Sequence, residues 1–197
     1  MNKDLRIKIK SGFSFYPVTK ENWKDFENLF GENGACAGCW CMYWRMRRKD
    51  YDAQRGSGTK RKMRNLINSG IIPGILAYDN DVPVGWCSVA PREDFPVLEN
   101  SRVLQRIDDK PVWSVVCFYI NKNFRKKGLS IELLNAAKKF VKINKGKTIE
   151  GYPVEPKTGK TADVFAWTGL ASAFRKAGFK EVIRRSETRP IMRFSIK

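Results

Sequence analysis

A continuously apolar run, VWSVVCFYI at residues 112–120, leads after a short spacer into the basic stretch FRKKGLS at residues 124–130. The run is dominated by β-branched and aromatic residues and is broken only by Ser114, which is typical of a central strand buried on both faces. Beyond it, apolar residues recur at helical spacing at Leu129, Leu133, Ala136, Ala137 and Phe140. The pattern predicts a buried strand, a short basic loop and a helix that begins at a glycine.

That order of elements predicts an anion site. The first N–H groups of a helix have no partner within the helix, and the helix dipole adds partial positive charge at the same end. Gly128 has no side chain, so the backbone can approach phosphate oxygens closely. The chain contains no GxxxxGK[ST] motif and no GxGxxG after a predicted strand, which excludes a Walker loop and argues against a Rossmann dinucleotide site.

The charge of the chain also favours an anionic partner. The sequence has 38 Lys and Arg against 20 Asp and Glu, a formal net charge of +18. Nucleic acid, a membrane surface or a phosphorylated small molecule would each suit this charge. The sequence has no histidine, which excludes Ser-His-Asp hydrolases, Cys-His proteases and His-ligated zinc catalysts.

The cysteines and the apolar runs indicate the compartment. Five cysteines is an odd number in a chain of 197 residues, which argues against a disulfide framework and for free thiols in a reducing compartment. The longest apolar run is far shorter than the roughly 20 residues that span a bilayer. The start, MNKDLRIKIK, lacks the apolar core of a signal peptide. We expect a soluble, cytoplasmic protein with no membrane partner.

The remaining patterns alternate between strands and helices. A strand is predicted over residues 12–18, a helix with Trp23, Phe26 and Phe30 on one face, and a hairpin from 75–78 and 82–89 around a polar turn. Residues 91–111 form a polar excursion that we expect to cover one mouth of the domain. After the strand and helix at 112–140, the patterns predict a strand at 147–155, a helix over 170–177 and a final strand or pair at 180–196.

The turn GENGACAGCWCMYWR, residues 31–45, combines cysteines with aromatic residues. Cys36, Cys39 and Cys41 could serve as thiolate ligands with Cys87 or Cys117, but the spacing is not a paired CxxC set, so we predict no metal. We favour a packed turn that lines the acceptor side of a cleft. The aromatic residues Trp40, Tyr43 and Trp44 could stack on a substrate, although the spacing of the two tryptophans favours one helical face packed on the core.

The basic loop and its surroundings resemble a known family. Residues 125–130, RKKGLS, resemble the pyrophosphate loop R/Q-x-x-G-x-G/A of the GNAT N-acetyltransferase superfamily, with Ser130 in place of the usual last Gly or Ala. The hairpin ending PVGWCSVAP, the strand VWSVVCFYINKNF and the stretch FRKAGFKEVIRRS follow in the family's order, so the resemblance covers roughly residues 12–195. It implies one α+β domain over residues 1–197, layered α/β/α, with a mixed, splayed sheet flanked by helices; residues 1–11 could be flexible.

The resemblance implies acetyl-CoA as the co-substrate and a direct transfer of its acetyl group to an amine. The backbone of the strand before the loop would pair with the pantetheine arm, and the loop amides would hold the pyrophosphate. On this chain the implied binding residues are Phe118, Tyr119 and Ile120 for the arm, and Arg125, Lys126, Lys127, Gly128, Leu129 and Ser130 for the pyrophosphate. The acceptor could be a small-molecule or a peptide amine.

The chain departs from the family at its chemical residues. The helical tyrosine that protonates the leaving thiolate in many members corresponds to Phe174, and the upstream asparagine falls near Trp167. As catalytic residues we predict Glu150 as the base and Tyr152 as a proton donor or substrate-orienting group. Glu93, Asp94 and Glu155 remain alternatives, as does catalysis by positioning with water as the proton carrier.

One alternative function belongs to another class. The basic segment 45–64 could make the chain a nucleic-acid-binding module with a vestigial or regulatory acyl-CoA site. Because a charge run is usually a solvated face, nucleic acid is not the favoured partner. The sequence leaves open whether the chain forms a homodimer.

Overall fold

A computed structural model describes residues 5–157 and 166–197 of the chain. The strands of this part form one mixed sheet in the order β1-β2-β3-β4-β5-β7-β6. They are β1 (Ser14–Pro17), β2 (Gly74–Asp79), β3 (Val82–Pro91), β4 (Trp113–Ile120), β5 (Thr148–Gly151), β6 (Lys180–Arg184) and β7 (Pro190–Ser195). The strands β4 and β5 are parallel, and every other neighbouring pair is antiparallel.

Helices cover both faces of this sheet. They are α1 (Trp23–Phe30), α2 (Arg48–Gln54), α3 (Ser57–Asn68), α4 (Pro96–Glu99), α5 (Leu129–Ile143) and α6 (Ala171–Lys176). The apolar faces of α5 and α6 pack with one side of the sheet in a single buried cluster. Helices α1 and α3 pack with the cysteine-rich turn on the opposite side. The result is the expected α/β/α layering.

The sheet opens at its centre. β4 pairs with β5 only from Trp113 to Val115, and the two strands separate beyond Val115 and Gly151. On its other edge β4 stays paired with β3 up to Ile120, with one register shift opposite Ser88 and Val89. The separation leaves backbone groups of β4 facing a gap rather than a neighbouring strand.

The sequence patterns predicted which strands and helices form more accurately than they predicted where each one ends. The hairpin forms as β2 and β3, and the helix after the basic loop begins at Leu129, with the predicted Gly128 as its N-cap. The strand predicted at 147–155 ends at Gly151, with only an isolated bridge from Val154 further on. Near the N-terminus Ile7 is buried and its N–H donates to the carbonyl of Phe15, so this residue is anchored to β1.

The prediction of one helical face for Trp40 and Trp44 is wrong. Trp40 and Cys41 have positive φ angles of 41° and 57°, which no right-handed helix contains. Trp40 is buried among Trp23, Phe26 and Phe30 beside α1, whereas Trp44 belongs to a different apolar cluster. The turn thus sends its two tryptophans into separate parts of the core. No helix in the described ranges is both long and apolar enough to cross a membrane.

Candidate functional site

A cleft of about 1100 Å³ opens where β4 and β5 separate. One wall is β4 from Cys117 to Ile120 together with the basic loop, and the facing wall is the cysteine-rich turn and helix α2. Residues 166–170 close a third side. A volume of this size accommodates a large cofactor-like molecule.

The basic loop presents bare backbone N–H groups to the cleft. Lys126 and Gly128 have positive φ angles of 61° and 81°, which turns the chain sharply before α5 begins. Across the described part of the chain, the N–H groups of residues 126–130 find no hydrogen-bond acceptor. A side chain added at Gly128 would meet no atom within 4 Å, so the backbone there is open to an approaching group. These features fit a diphosphate.

Six of the nine predicted binding residues line the cleft. They are Phe118, Tyr119, Ile120, Arg125, Lys126 and Ser130. Of the other three, Gly128 has no side chain, Leu129 is buried in the core, and the Lys127 ammonium lies over the ring of Phe124. At Gly128 and Leu129 only the backbone is available to a ligand.

The open edge of β4 is partly occupied by other groups of the chain. The N–H of Phe118 donates to the carbonyl of Trp167 at 2.7 Å. The indole N–H of Trp44 donates to the carbonyl of Val116 at 3.1 Å. Because alternate N–H groups of a strand point to the same side, that of Ile120 faces the gap as that of Phe118 does.

Residues 166–171 bridge the gap between the separated strands. Besides the bond from Phe118, the carbonyl of Gly169 accepts from Val154, and the N–H of Ala171 donates back to the carbonyl of Val154. The segment therefore behaves as a short interposed strand between β4 and the continuation of β5. Any molecule that pairs with the edge of β4 at Phe118 has to replace the carbonyl of Trp167.

The predicted base, Glu150, lies in a buried ion cluster away from the cleft lining. One carboxylate oxygen accepts from Arg92 at 3.1 Å and the other from Arg193 at 2.6 Å. The hydroxyl of Tyr152 also donates to Glu150 at 2.6 Å. Glu150 and Arg92 are each 1% exposed. The prediction of a general base does not fit this placement, because both oxygens are engaged and neither reaches the cleft.

The second predicted catalytic residue, Tyr152, belongs to the same cluster. Its hydroxyl accepts from Arg92 at 2.6 Å and lies 2.8 Å from the hydroxyl of Ser114. Burial, reinforced by the charge of Glu150, raises the pKa of Tyr152 well above its usual value. A buried, neutral phenol held by three partners cannot reach a substrate in the cleft, so the geometry assigns the cluster to the fold.

The alternative carboxylates are also held in ion pairs. Glu93 pairs with Arg106, and Asp94 pairs with Arg45. Hydrogen bonds from Arg175 and Arg184 lower the pKa of Glu155 to about 2. None of these described carboxylates lines the cleft.

Phe174, which the resemblance implies stands in place of a tyrosine, is buried in the core and packs edge to face with the ring of Phe118 at 6.1 Å. It is not part of the cleft lining, whereas Trp167 is. The departure from the family pattern at Phe174 therefore coincides with a side chain that packs rather than one that faces a ligand.

The cleft wall opposite the basic loop includes residues that the sequence patterns missed. The turn at 31–45 lines the cleft as predicted, through Tyr43 and Trp44 among others. The excursion 91–111, expected to cover one mouth of the domain, contributes no residue to the described lining, and neither does the strand end 148–154. Instead Arg48, Tyr51 and Arg55 contribute. The segment 45–64 reads as a charge run, and only its folding into α2 brings these side chains to the cleft.

Four of the five thiols border the cleft: Cys36, Cys39, Cys41 and Cys117. The indole N–H of Trp86 donates to the sulfur of Cys41 at 3.2 Å. A hydrogen bond with Cys117 lowers the pKa of Cys41 and raises that of Cys117 well above its usual value. All five cysteines are free, and the described residues contain no group of three or more Cys, Asp or Glu arranged around a metal ion.

Comparisons with known proteins agree with this architecture. The family model described as "Acetyltransferase (GNAT) family" matches residues 40–150, more than half of the chain. No curated protein sequence matches the chain significantly. At the identities of the solved structures below, the likeness shows the fold, and it confirms the expected mixed sheet flanked by helices.

Three solved structures illustrate the likeness. A GNAT-family acetyltransferase from Streptococcus agalactiae is 13% identical, with 95% of this chain and 96% of that chain covered and a TM-score of 0.56. Another from Listeria monocytogenes is 10% identical, with 93% and 94% covered and a TM-score of 0.57. The PaiA N-acetyltransferase from Thermoplasma acidophilum, in complex with coenzyme A, is 15% identical, with 93% and 98% covered and a TM-score of 0.53.

Proposed function

We propose, from the premise that this chain belongs to the acetyltransferase (GNAT) family, that it is an acetyl-CoA-dependent N-acetyltransferase acting directly on an amine. The observation that carries the proposal is the run of bare N–H groups at 126–130, which borders the cleft beside the open edge of β4. A solved relative of the same fold contains coenzyme A, which supports the choice of donor. Free thiols and the absence of a disulfide among the described residues suit the reducing cytoplasm.

The basic loop is proposed to hold the diphosphate. Backbone N–H groups of residues 126–130 donate to its oxygens, and the start of α5 adds the positive end of a helix dipole. Arg125 and Lys126 line the cleft here and add charge. The loop would therefore bind the diphosphate mainly through directed backbone N–H donors, with the positive side chains as a smaller contribution.

The open edge of β4 is proposed to hold the pantetheine arm. The N–H groups of Phe118 and Ile120 face the gap, where an amide-bearing arm can pair as an added strand does. The carbonyl of Trp167 has to leave the Phe118 N–H for this pairing. One hydrogen bond is exchanged for another, so the cost of the exchange is small.

The chemical step needs a neutral amine more than a dedicated base. Acetyl-CoA supplies a thioester: the amine nitrogen bonds to its carbonyl carbon, the carbon–sulfur bond breaks, and the ammonium proton passes to water or to the leaving thiolate. The charged side chains on the described lining are all cationic: Arg48, Arg55, Arg125 and Lys126. Positive surroundings disfavour an ammonium ion and so favour the neutral nucleophile. The proposal therefore assigns no base to Glu150, because its carboxylate is held by Arg92 and Arg193.

The alternative of a nucleic-acid-binding module is not favoured. Three of the nine cations of the segment 45–64 are paired within the chain: Arg45 with Asp94, Arg48 with Asp52, and Lys60 with Glu27. Pairing of this kind reduces the charge available to a phosphate backbone.

The test is the affinity for coenzyme A, measured by titration calorimetry, together with thiol release from acetyl-CoA in the presence of an amine panel. Gly128→Asp places a carboxylate where the diphosphate would lie, and nothing within 4 Å obstructs it in the fold. We expect the affinity to fall by at least about tenfold, which corresponds to roughly 1.4 kcal/mol.

Gly70→Asp is the matched control. Gly70 also has a positive φ, 87°, with no atom within 4 Å of an added side chain, and it lies outside the cleft. The control adds the same charge and a similar backbone strain, and it should bind coenzyme A as the parent does. Retention of full affinity by Gly128→Asp would contradict the proposed diphosphate site. No thiol release with any amine would contradict the transfer reaction.

A further inference from the structure

The acceptor end of the cleft has an unusual charge for a site that receives amines. No aspartate or glutamate of the described residues lines the cleft. Arg125 and Lys126 lie at the basic loop and would be balanced by a diphosphate. Arg48 and Arg55 lie on the other wall and have no such counterpart from the cofactor.

The two arginines differ in how they are engaged within the chain. Arg48 pairs with Asp52 at 2.7 Å and its guanidinium lies 5.6 Å from the ring centre of Tyr43. Arg55 is exposed, and no carboxylate of the described residues lies within ion-pair distance of it. Both are close enough to Tyr51 for their charge to act on its hydroxyl. Arg55 is therefore the cation with its donors available.

Between the arginines and β4 the wall is aromatic. The ring of Tyr43 packs edge to face with the ring of Tyr51 at 5.5 Å and with the indole of Trp167 at 5.4 Å. Trp44 lies against Trp167 at 5.5 Å. Such a surface suits the flat aromatic or apolar part of a bound ligand. It offers little to a simple organic cation, because Arg48 already occupies the vicinity of the Tyr43 ring.

Polycationic acceptors do not fit this wall. Two like charges at about 4 Å repel by roughly 1 kcal/mol in water and by several times more at a partly buried surface. A polyamine or a lysine-rich peptide would bring two or more such charges to a cleft that offers no described carboxylate in return. A carboxylate on the acceptor reverses the sign of the interaction, and a guanidinium binds a carboxylate through two parallel hydrogen bonds.

We infer that the acceptor is a small primary amine that carries a carboxylate and an apolar or aromatic body, with Arg55 and Arg48 binding the carboxylate. The body of this acceptor packs on Tyr43, Tyr51 and Trp167, and its amine points toward the open edge of β4. The inference rests on the proposed function and narrows its substrate class.

The experiment compares amines that differ only in the carboxylate. Phenylalanine and phenethylamine share the amine and the ring, and spermidine represents the polycations. Thiol release from acetyl-CoA gives kcat/KM for each, and calorimetric titration of each amine into the protein saturated with coenzyme A gives an affinity that does not depend on turnover. We expect phenylalanine to exceed phenethylamine by about tenfold or more in both measurements, as a bidentate charged pair predicts.

Two variants connect the preference to the arginine. Arg55→Gln should lower the ratio of phenylalanine to phenethylamine several-fold, because the carboxylate loses one of its two guanidinium partners. Arg61→Gln removes the same charge from an exposed position of α3 outside the cleft and should preserve the ratio.

The outcomes separate the two proposals. Equal or better use of phenethylamine or spermidine, or a ratio that survives Arg55→Gln, overturns the inference and leaves the transfer reaction standing. Preferential binding of phenylalanine without thiol release from any amine supports the carboxylate site and counts against the transfer reaction.

Discussion

The backbone N–H of Phe118 donates to the carbonyl of Trp167 at 2.7 Å, so the open edge of β4 is closed at that point by the chain itself. The segment that carries Trp167 depends on a turn at Gly169, whose φ is 85° and whose N–H donates to the carbonyl of Ala166 at 2.8 Å. The width of the cleft beside β4 is therefore set by a segment distant in sequence.

Gly169→Ala should lower the free energy of unfolding by about 2 to 5 kcal/mol, the sum of left-handed backbone strain and overpacking. An added methyl would lie 2.9 Å from the rings of both Phe118 and Phe174. Gly70→Ala has the same type of φ but no neighbour within 4 Å, so it should cost only about 1 to 2 kcal/mol. Urea denaturation of both variants measures the difference, and equal losses would show that the segment does not pack as described.

Glu150→Gln should act on stability rather than on the chemical step. Removal of this charge takes away the one fully buried carboxylate partner that the described residues give Arg92, and breaking a buried pair costs about 3 to 5 kcal/mol. Denaturation with urea measures that loss, and thiol release per folded molecule at low temperature measures activity. We expect a large loss of stability with kcat within about a few-fold of the parent, in contrast to the roughly 10²-fold or greater effect of losing a general base.

Glu99→Gln is the control for the ion cluster. Glu99 accepts from the same Arg92 at 2.8 Å but is 40% exposed, so its loss should cost about 1 kcal/mol or less. A Glu150→Gln protein that folds as stably as the parent but has lost activity would reinstate Glu150 as a catalytic group.

The buried tyrosines predict a loss of stability at alkaline pH. Burial raises the pKa of Tyr51 to about 12 and also raises the pKa values of Tyr78 and Tyr152 well above their usual value. In the unfolded chain a phenol ionises near pH 10. The stabilising contribution is therefore complete below pH 10 and is lost as the pH rises through the folded-state values.

Tyrosinate absorbance followed with pH, beside circular dichroism, tests this expectation. These three phenols should ionise only together with unfolding. Ionisation of all the tyrosines near pH 10 with the fold intact would contradict their burial.

The cleft should make one thiol much more reactive than the others. Cys36 is exposed, whereas Cys41 and Cys87 are buried, and burial raises the pKa of Cys39 and of Cys87. Under native conditions we expect a maleimide to label Cys36 first, as mass spectrometry of the digested protein would show. Because Cys36 lines the cleft, coenzyme A should slow its labelling, and the Cys36→Ser variant should lose the rapid phase. Simultaneous labelling of several cysteines would argue against the packed turn.

The strand, loop and helix around residues 112–140 could be predicted because their signals are local. A continuous apolar run defines β4, and helical spacing after Gly128 defines α5. The hairpin of β2 and β3 follows from alternating residues and a polar turn in the same way. The positive φ angles at Trp40 and Cys41 could not be predicted, because spacing alone does not distinguish a helix from an irregular turn.

The ion-pair partners of Glu150 could not be predicted from sequence patterns. Sequence patterns place Glu150 in a strand and do not show what its carboxylate meets, whereas in the fold Arg92 and Arg193, which lie far away in sequence, bind it in the interior. Likewise the segment 45–64 reads as a uniform basic run, and folding of α2 alone turns Arg48, Tyr51 and Arg55 into the cleft.

By itself the sequence determined the family resemblance, the order of elements and the bare amides of the basic loop, because each depends on residues adjacent along the chain. Only the tertiary structure decided which carboxylates form internal ion pairs, which cations face the cleft and that the carbonyl of Trp167 occupies the edge of β4. The physical reason is that hydrogen bonds and ion pairs are satisfied in space, by whichever partners packing brings within about 3 Å.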